Sequence, residues 1–210
     1  MPKIVDHEER RRELAEALWR VIVASGPYAV SIRSVAAEAG LSAGALRHYF
    51  QTREELLIFA MDLSEQRVIQ RIREYSRTLD PDLPMVERVA RFAEQMLPLD
   101  EMRRAEFRAW EAVGALGEGD PRSEERWDQQ RGLYRRLVGA LGGLPPLDDP
   151  EQEHPDPWLE TWSEHLHTYI DGLAIQMMIA SSQVPPETAK ARMRAFLTFI
   201  ESTRRAEEAG

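Results

Sequence analysis

Between Ala43 and Arg53 the chain reads AGALRHYFQTR. Three small residues, Ala43, Gly44 and Ala45, are followed about a turn later by Arg47, His48 and Tyr49. At helical spacing Leu46, Phe50 and part of Tyr49 share one side, and Gly44, Ala45, Arg47 and His48 lie away from it. A helix that enters the major groove of duplex DNA must bring its N-terminal end against base edges. Small residues there relieve steric exclusion, and longer hydrogen-bonding residues a turn later reach bases or phosphates. Arg47 can offer paired donors to guanine O6 and N7, a contact worth about 1 to 3 kcal/mol of discrimination.

Other constellations carry less. Glu160, Glu164, His167 and Asp171 fall at i, i+4, i+7 and i+11, a spacing that suits metal ligands but reads better as a solvated polar helix face, so no metal is expected. The glycines of GALGEGD, Gly114 to Asp120, follow a helix rather than a strand and read as a loop, not a phosphate cradle. The triplet Arg10-Arg11-Arg12 offers a second route to the DNA backbone, but Glu8, Glu9 and Glu13 interleave it as in a solvated face. The absence of cysteine removes thiolate zinc sites, disulfides and cysteine nucleophiles. The remaining hydroxyls, His and carboxylates form no nucleophile motif, and no cofactor is implied. An all-helical enzyme or small-molecule-binding protein using an inner pocket, and a helical scaffold that binds only proteins, are the rival readings. The scaffold would leave the Arg-His-Tyr segment without a purpose.

The elements that must position Arg47 and its neighbours are short. Leu14, Leu18, Val21 and Ile22 mark a first amphipathic helix that Ser25-Gly26-Pro27 stops. Ser31 caps a second, carrying Ile32, Val35, Ala36 and Ala39, with Gly40 at the left-handed position beyond its end. Ser42 caps a third, with Leu41 and Leu46 placed as a hydrophobic staple, and Thr52-Arg53-Glu54-Glu55 reads as a capping box opening a fourth that runs to about Leu79. Further helices are expected at 85 to 97, 100 to 116, from Asp120-Pro121 to about Leu141, from Asp156-Pro157 to about Ser182, and from the Val184-Pro185-Pro186 break to about Arg204. The Pro-rich acidic stretch from Gly142 to Pro157 reads as a loop. No segment alternates as an amphipathic strand would, and no solenoid repeat is present. The expected fold is all-α, about nine helices in total: a helix-turn-helix head over residues 1–53 and a larger helical bundle over 54–210.

With 43% hydrophobic and 30% charged residues the 210-residue chain has the composition of an ordinary soluble protein, without a membrane span or a secretory segment at its start, and is read as cytoplasmic. Its net charge of −9 argues against non-specific coating of nucleic acid. The charge is uneven: residues 1–53 hold eight Lys and Arg against six Asp and Glu, a net +2, and the rest is −11.

The segment IRSVAAEAGLSAGALRHYFQTREELL, Ile32 to Leu57, resembles the DNA-binding region of TetR-type transcriptional regulators: the Ala-Gly turn, the capping Ser42, the Leu-x-x-Tyr-Phe run and the charged-Glu-Glu-Leu opening of the next helix. YIDGLAIQMM, Tyr169 to Met178, is similar to the penultimate helix of one branch of these regulators. The resemblance implies that Ser31, Arg33, Tyr49 and Arg53 hold phosphates and that Ala43, Gly44 and Arg47 face bases, with His48 able to do either and Ser42 at the helix start. Arg47 stands where an aromatic residue is frequent in the family. It also implies a homodimer, a double-stranded DNA operator of two half-sites, an unknown small-molecule effector, repression rather than activation, and a four-helix bundle between two chains.

A single recognition helix reads too few base pairs, so pairing is expected on physical grounds as well. The candidate seam lies on the last two helices: Leu166, Ile170, Leu173, Ala174, Met177 and Met178 on one, Met193, Phe196, Leu197 and Ile200 on the other, although these faces also suit packing inside the protomer and each helix must do some of both. Phe92, Met96, Met102, Phe107, Trp110, Trp127 and Tyr134 are large, adaptable side chains that make either core or an effector pocket.

Overall fold

The computed structural model describes residues 7–115, 122–149 and 152–208, and within them the chain is helical with no strand. Nine α-helices occur among the described residues: α1 His7–Ser25, α2 Ile32–Glu38, α3 Ala43–Leu46, α4 Arg53–Thr78, α5 Met85–Ala93, α6 Glu101–Gly114, α7 Ser123–Leu141, α8 Pro157–Ile179 and α9 Pro186–Glu208. Single 3-10 turns follow α1, at Pro27–Ala29, and α5, at Glu94–Met96. The expected cap at Asp120-Pro121 and most of the Gly114 to Asp120 loop lie outside the described residues.

Contacts group the helices into two compact units. The first holds the described residues up to 69 together with 100–115, and the second holds 70–99 and those from 122 on. Contacts therefore do not thin out at residue 53. The first half of α4 and all of α6 share the core of the first three helices, in which Leu14, Leu18, Ile22, Val35, Leu46, Leu56, Leu57, Ala105 and Ala109 are sealed from solvent. In the second unit α7 packs on α8, and α5 on α9 and α7.

Local chemistry sets the short helices of the first unit. Ser31 Oγ accepts from Ser34 N–H at 3.0 Å, and Ser34 Oγ accepts from Ser31 N–H at 2.9 Å, a reciprocal cap built from two serines. Gly40, at φ 67°, ends α2: its N–H donates to Ala37 O, and Leu41 N–H donates to Ala36 O at 2.8 Å. That pair of bonds needs a left-handed residue, which glycine adopts without the Cβ penalty. Ser42 Oγ then accepts from Ala45 N–H at 3.1 Å and opens α3. Thr52 Oγ1 accepts from Glu55 N–H as expected, but the Glu55 carboxylate accepts from Gln51 N–H at 2.6 Å rather than from Thr52, so the box closes one residue earlier.

Two ends differ from the sequence reading. α8 stops at Ile179, because Gln183 and Val184 N–H both turn back to Ala180 O and bury the Val184 side chain. α9 runs on to Glu208.

Candidate nucleic-acid interface

Regular helix lasts only from Ala43 to Leu46; Arg47, His48 and Tyr49 continue it as hydrogen-bonded turns, with Tyr49 N–H and Phe50 N–H both on Leu46 O. Leu46 and Phe50 point into the core, and Gly44, Arg47, His48 and Tyr49 are exposed. At Gly44 an added Cβ would meet nothing nearer than Ser42 Oγ at 3.8 Å, so no intramolecular packing requires glycine there. Arg33 is exposed on the first turn of α2, and Ser31, half-buried, spends its hydroxyl on the cap.

Arg53 sits differently from the expectation of a phosphate clamp. Its guanidinium is half-buried, with Nε donating to Val30 O at 3.1 Å and Nη2 to Pro27 O at 3.2 Å, so two of its five donors are spent inside the first unit. In the basic triplet, Arg10 pairs with Glu13 and Arg11 lies over the Phe59 ring, while Arg12 is exposed.

The candidate effector residues fall into separate groups. Phe107 and Trp110 stack on each other in the first unit, at 5.6 Å between centroids. Phe92, in the second, meets the edge of Tyr75, and Met96 is half-buried nearby in sequence. Tyr134 is wholly buried and stacks at 4.4 Å on His167, whose ring also meets Trp127 at 4.8 Å. Trp127 is 56% exposed.

His167 is therefore not part of a solvated face: it is buried between two aromatic rings, with Nε2 3.4 Å from an Asp171 carboxylate oxygen. That distance suits an ion pair, but burial opposes both charges. Desolvation, aided by the nearby Arg131 charge, pushes His167 down to about 4, and desolvation raises Asp171 to about 6. At neutral pH the imidazole is neutral and the pair carries one negative charge. Beside it Glu160 joins Arg135 at 2.8 Å, Arg131 at 3.3 Å and His154 N–H at 2.7 Å. Burial works against the Glu160 carboxylate, but these partners outweigh it and hold the group below the usual carboxylate range. Among the described residues no cluster of His, Asp and Glu forms a metal site.

Comparison with known proteins decides what this scaffold is. The model for bacterial regulatory proteins of the tetR family matches residues 14–58, and that for the BetI-type transcriptional repressor C-terminal region matches 85–200. The chain belongs to the TetR family. It is a BetI-type transcriptional regulator with a DNA-binding helix-turn-helix, and its family and relatives are regulators, not enzymes. The HTH-type transcriptional regulator PksA of Bacillus subtilis (strain 168) is 36% identical over 203 residues, covering 96% of this chain and 93% of the relative. BetI of Rhizobium meliloti (strain 1021) is 28% identical over 196 residues, 91% and 89% of the two chains. Among solved structures, a transcriptional regulator from Rhodococcus sp. Rha1 superposes with a TM-score of 0.72 at 26% identity, covering 91% and 96%. A regulator from Saccharomonospora viridis, solved in complex with choline, does so at 0.66 and 22%, over 91% and 96%. That last likeness concerns the fold.

In this TetR-family chain the candidate seam residues of the last two helices pack largely inside the protomer. Leu166, Ile170, Leu173, Ala174, Met177, Met193, Leu197 and Ile200, expected at a dimer seam, are buried within the single chain; Phe196 and Met178 are half-buried. Around Phe196, which the sequence placed at the seam, lie aromatic groups it did not name: Trp162 meets Phe196 and Phe199 edge-on, and Tyr169 stacks on Phe196 at 4.0 Å. Phe199 is 55% and Ile179 79% exposed. The signal was present as Trp162 and Tyr169 seven apart on one helix and Phe196 and Phe199 three apart on the next, spacings that stack side chains on one face.

Proposed function

We propose that this regulator is a repressor that binds a two-half-site operator as a homodimer and lets go, or holds on, when a small effector binds. The observation that carries the DNA reading is the outward set of Gly44, Arg47, His48 and Tyr49 on a segment whose Leu46 and Phe50 anchor it to the core. Ser42 and Ala43 open the same segment, with Ser31 and Arg33 at the start of α2.

Pairing runs through the outer faces of α8 and α9, where Trp162, Tyr169, Phe196 and Phe199 form an apolar patch rimmed by His165, Gln176 and Arg192. Aromatic groups with polar tips are the types enriched at protein interfaces. Leu166 and the other buried residues support that face from beneath.

The effector is a small organic cation, taken against the exposed ring of Trp127, beneath which lie His167 and its neighbour Asp171. Aromatic faces attract cations, and Asp171 has no Lys or Arg partner among the described residues. The choline held by the Saccharomonospora viridis regulator is of the same class. No described helix is long and apolar enough to cross a membrane, and the site of action is the cytoplasm, where the DNA is.

Selection of bound fragments from genomic DNA, followed by sedimentation of the protein with and without the selected duplex, tests this reading. The expected outcome is paired half-sites about one helical turn apart, or a multiple, and two chains per duplex or more. Choline then displaces or tightens the complex. A monomer indifferent to every duplex at low ionic strength sinks the proposal.

A further inference from the structure

Tyr28 is 86% exposed, yet it stands on a turn held by both backbone and side-chain hydrogen bonds. The 3-10 turn Pro27–Ala29 leads from Gly26, at φ 77°, to Ser31, the cap of α2. Within it Ala29 N–H donates to Gly26 O and Val30 N–H to Pro27 O. Side chains from two helices add to these: Ser34 Oγ donates to Ala29 O at 2.8 Å, Arg53 Nε to Val30 O, and Arg53 Nη2 to Pro27 O as a second donor. Pro27 and Val30, on either side of the tyrosine, are buried. The backbone is thus pinned at residues 27, 29 and 30, and the side chain between them is left in solvent.

We propose that Tyr28 is a DNA-backbone contact of this head, its hydroxyl donating to a phosphate beside the one held at the start of α2, with Arg53 the positioning residue that sets the turn. This rests on the DNA-binding reading above. Tyr28 is three residues from Ser31, so its Cα is within about 10 Å of the cap. Successive phosphates of one strand advance only about 3.4 Å along the duplex axis, and the next phosphate is therefore in reach. Tyrosine hydroxyls are among the ordinary phosphate donors, and a tyrosine on a fixed backbone loses little conformational freedom when it docks. Cations in this unit are partly committed elsewhere: Arg10 pairs with Glu13, Arg20 with Glu38, and Arg53 faces inward. A neutral hydroxyl supplies the backbone contact that the family resemblance would give to Arg53.

The test measures binding of a genomically selected duplex by wild-type, Tyr28→Phe, Arg53→Lys and the double variant, at several salt concentrations, with thermal melts alongside. Tyr28→Phe, a surface change, should fold normally and bind about three- to tenfold more weakly, the range expected for one lost hydrogen bond. The loss should be equal on all sequences, and the salt slope should not change, because the slope counts phosphates neutralised by cations. Arg53→Lys keeps the charge but loses the two-carbonyl grip. It should weaken binding at an unchanged slope, and adding Tyr28→Phe should then cost little more. Unchanged affinity for Tyr28→Phe, with wild-type binding intact, overturns the proposal even if Arg53→Lys does not fold. Fully additive losses overturn the role given to Arg53. Absence of wild-type binding removes the DNA reading itself.

Discussion

Replacing Gly44 separates the fold from the interface, because the two respond with opposite sign. A Cβ at Gly44 meets only Ser42 Oγ at 3.8 Å, so alanine displaces nothing within the chain, and on this exposed position a larger side chain extends toward solvent. Glycine inside a helix costs about 0.5 to 1 kcal/mol relative to alanine, and position 44 lies in the first turn of a short helix, which favours the low end. For a chain of this length that gain raises the melting temperature by about 1 to 3 °C. Against DNA the sign reverses. Gly44→Leu puts a branched side chain where, in the proposed complex, the helix start approaches base edges, lifting the segment and with it Arg47; a paired contact from that residue to guanine would be worth about 1 to 3 kcal/mol. That is about a 5- to 150-fold loss of specific binding, with alanine between wild type and leucine. Fluorescence anisotropy on the selected duplex at fixed salt measures binding, and a thermal melt of the same samples measures stability. A leucine variant that melts normally and binds its best sequence as tightly as wild type would show that position 44 does not lie against DNA. So would a variant that loses binding only in step with its stability.

Arg47→Ala should relax preference at one base pair while leaving the other positions as selective as before; an equal loss on every sequence, seen in a panel of substituted duplexes, would make Arg47 a phosphate contact instead. Phe199→Glu charges the centre of the exposed aromatic patch and should convert the dimer to a monomer with helicity intact, read by sedimentation and circular dichroism. Glu160→Gln leaves the guanidiniums of Arg131 and Arg135, about a tenth exposed, without their shared carboxylate, at a cost of about 3 kcal/mol in urea denaturation near pH 7. The Glu160 contribution is present above the ordinary carboxylate pKa and lost as pH falls through its lower folded value. Between about pH 4 and 6 the folded chain holds a proton on Asp171 and the unfolded chain holds one on His167, so the pair leaves stability nearly flat. Asp171→Asn removes that offset, and its stability should fall by about 2 to 3 kcal/mol on acidification from pH 6.5 to 4, whereas a flat profile would place His167 outside the buried pair.

The helix starts were legible because each depends on chemistry within four residues: Ser31, Ser42, Thr52 and Asp156 all accept from the first-turn N–H groups, as their types and positions predict. The outward placement of Arg47 and His48 was legible for the same reason, since Leu46 and Phe50 define the inward side at helical spacing. The inward hydrogen bonds of Arg53 were not. Its partners, Val30 O and Pro27 O, lie 23 and 26 residues away and are backbone atoms, which leave no mark on residue type. His167 was misread as solvated because the periodic set of acidic residues around it reads as polar. Only the packing of α7 against α8 puts Tyr134 and Trp127 on its two faces.

The last two helices show why periodicity alone cannot assign an interface. α8 carries a buried apolar stripe, Leu159, Leu166, Ile170, Leu173 and Met177, and along its edge an aromatic one, Trp162 and Tyr169. Helical spacing reveals that both exist and is silent on which faces α7 and α9 of the same chain. Residue chemistry breaks the tie. A sealed core favours wholly apolar side chains, since a buried hydroxyl or indole N–H needs a partner. Leu, Ile and Met therefore take the inside. Tyr169 and Trp162 keep their polar tips near the boundary, and the Tyr169 hydroxyl donates to Arg192 O at 3.1 Å. A surface bearing Trp162, Phe196 and Phe199 in mutual contact, with Phe199 more than half exposed, still has apolar area to lose. A second copy presenting the same face would cover it, and the same pairing would supply the second recognition segment that one Arg47 cannot replace.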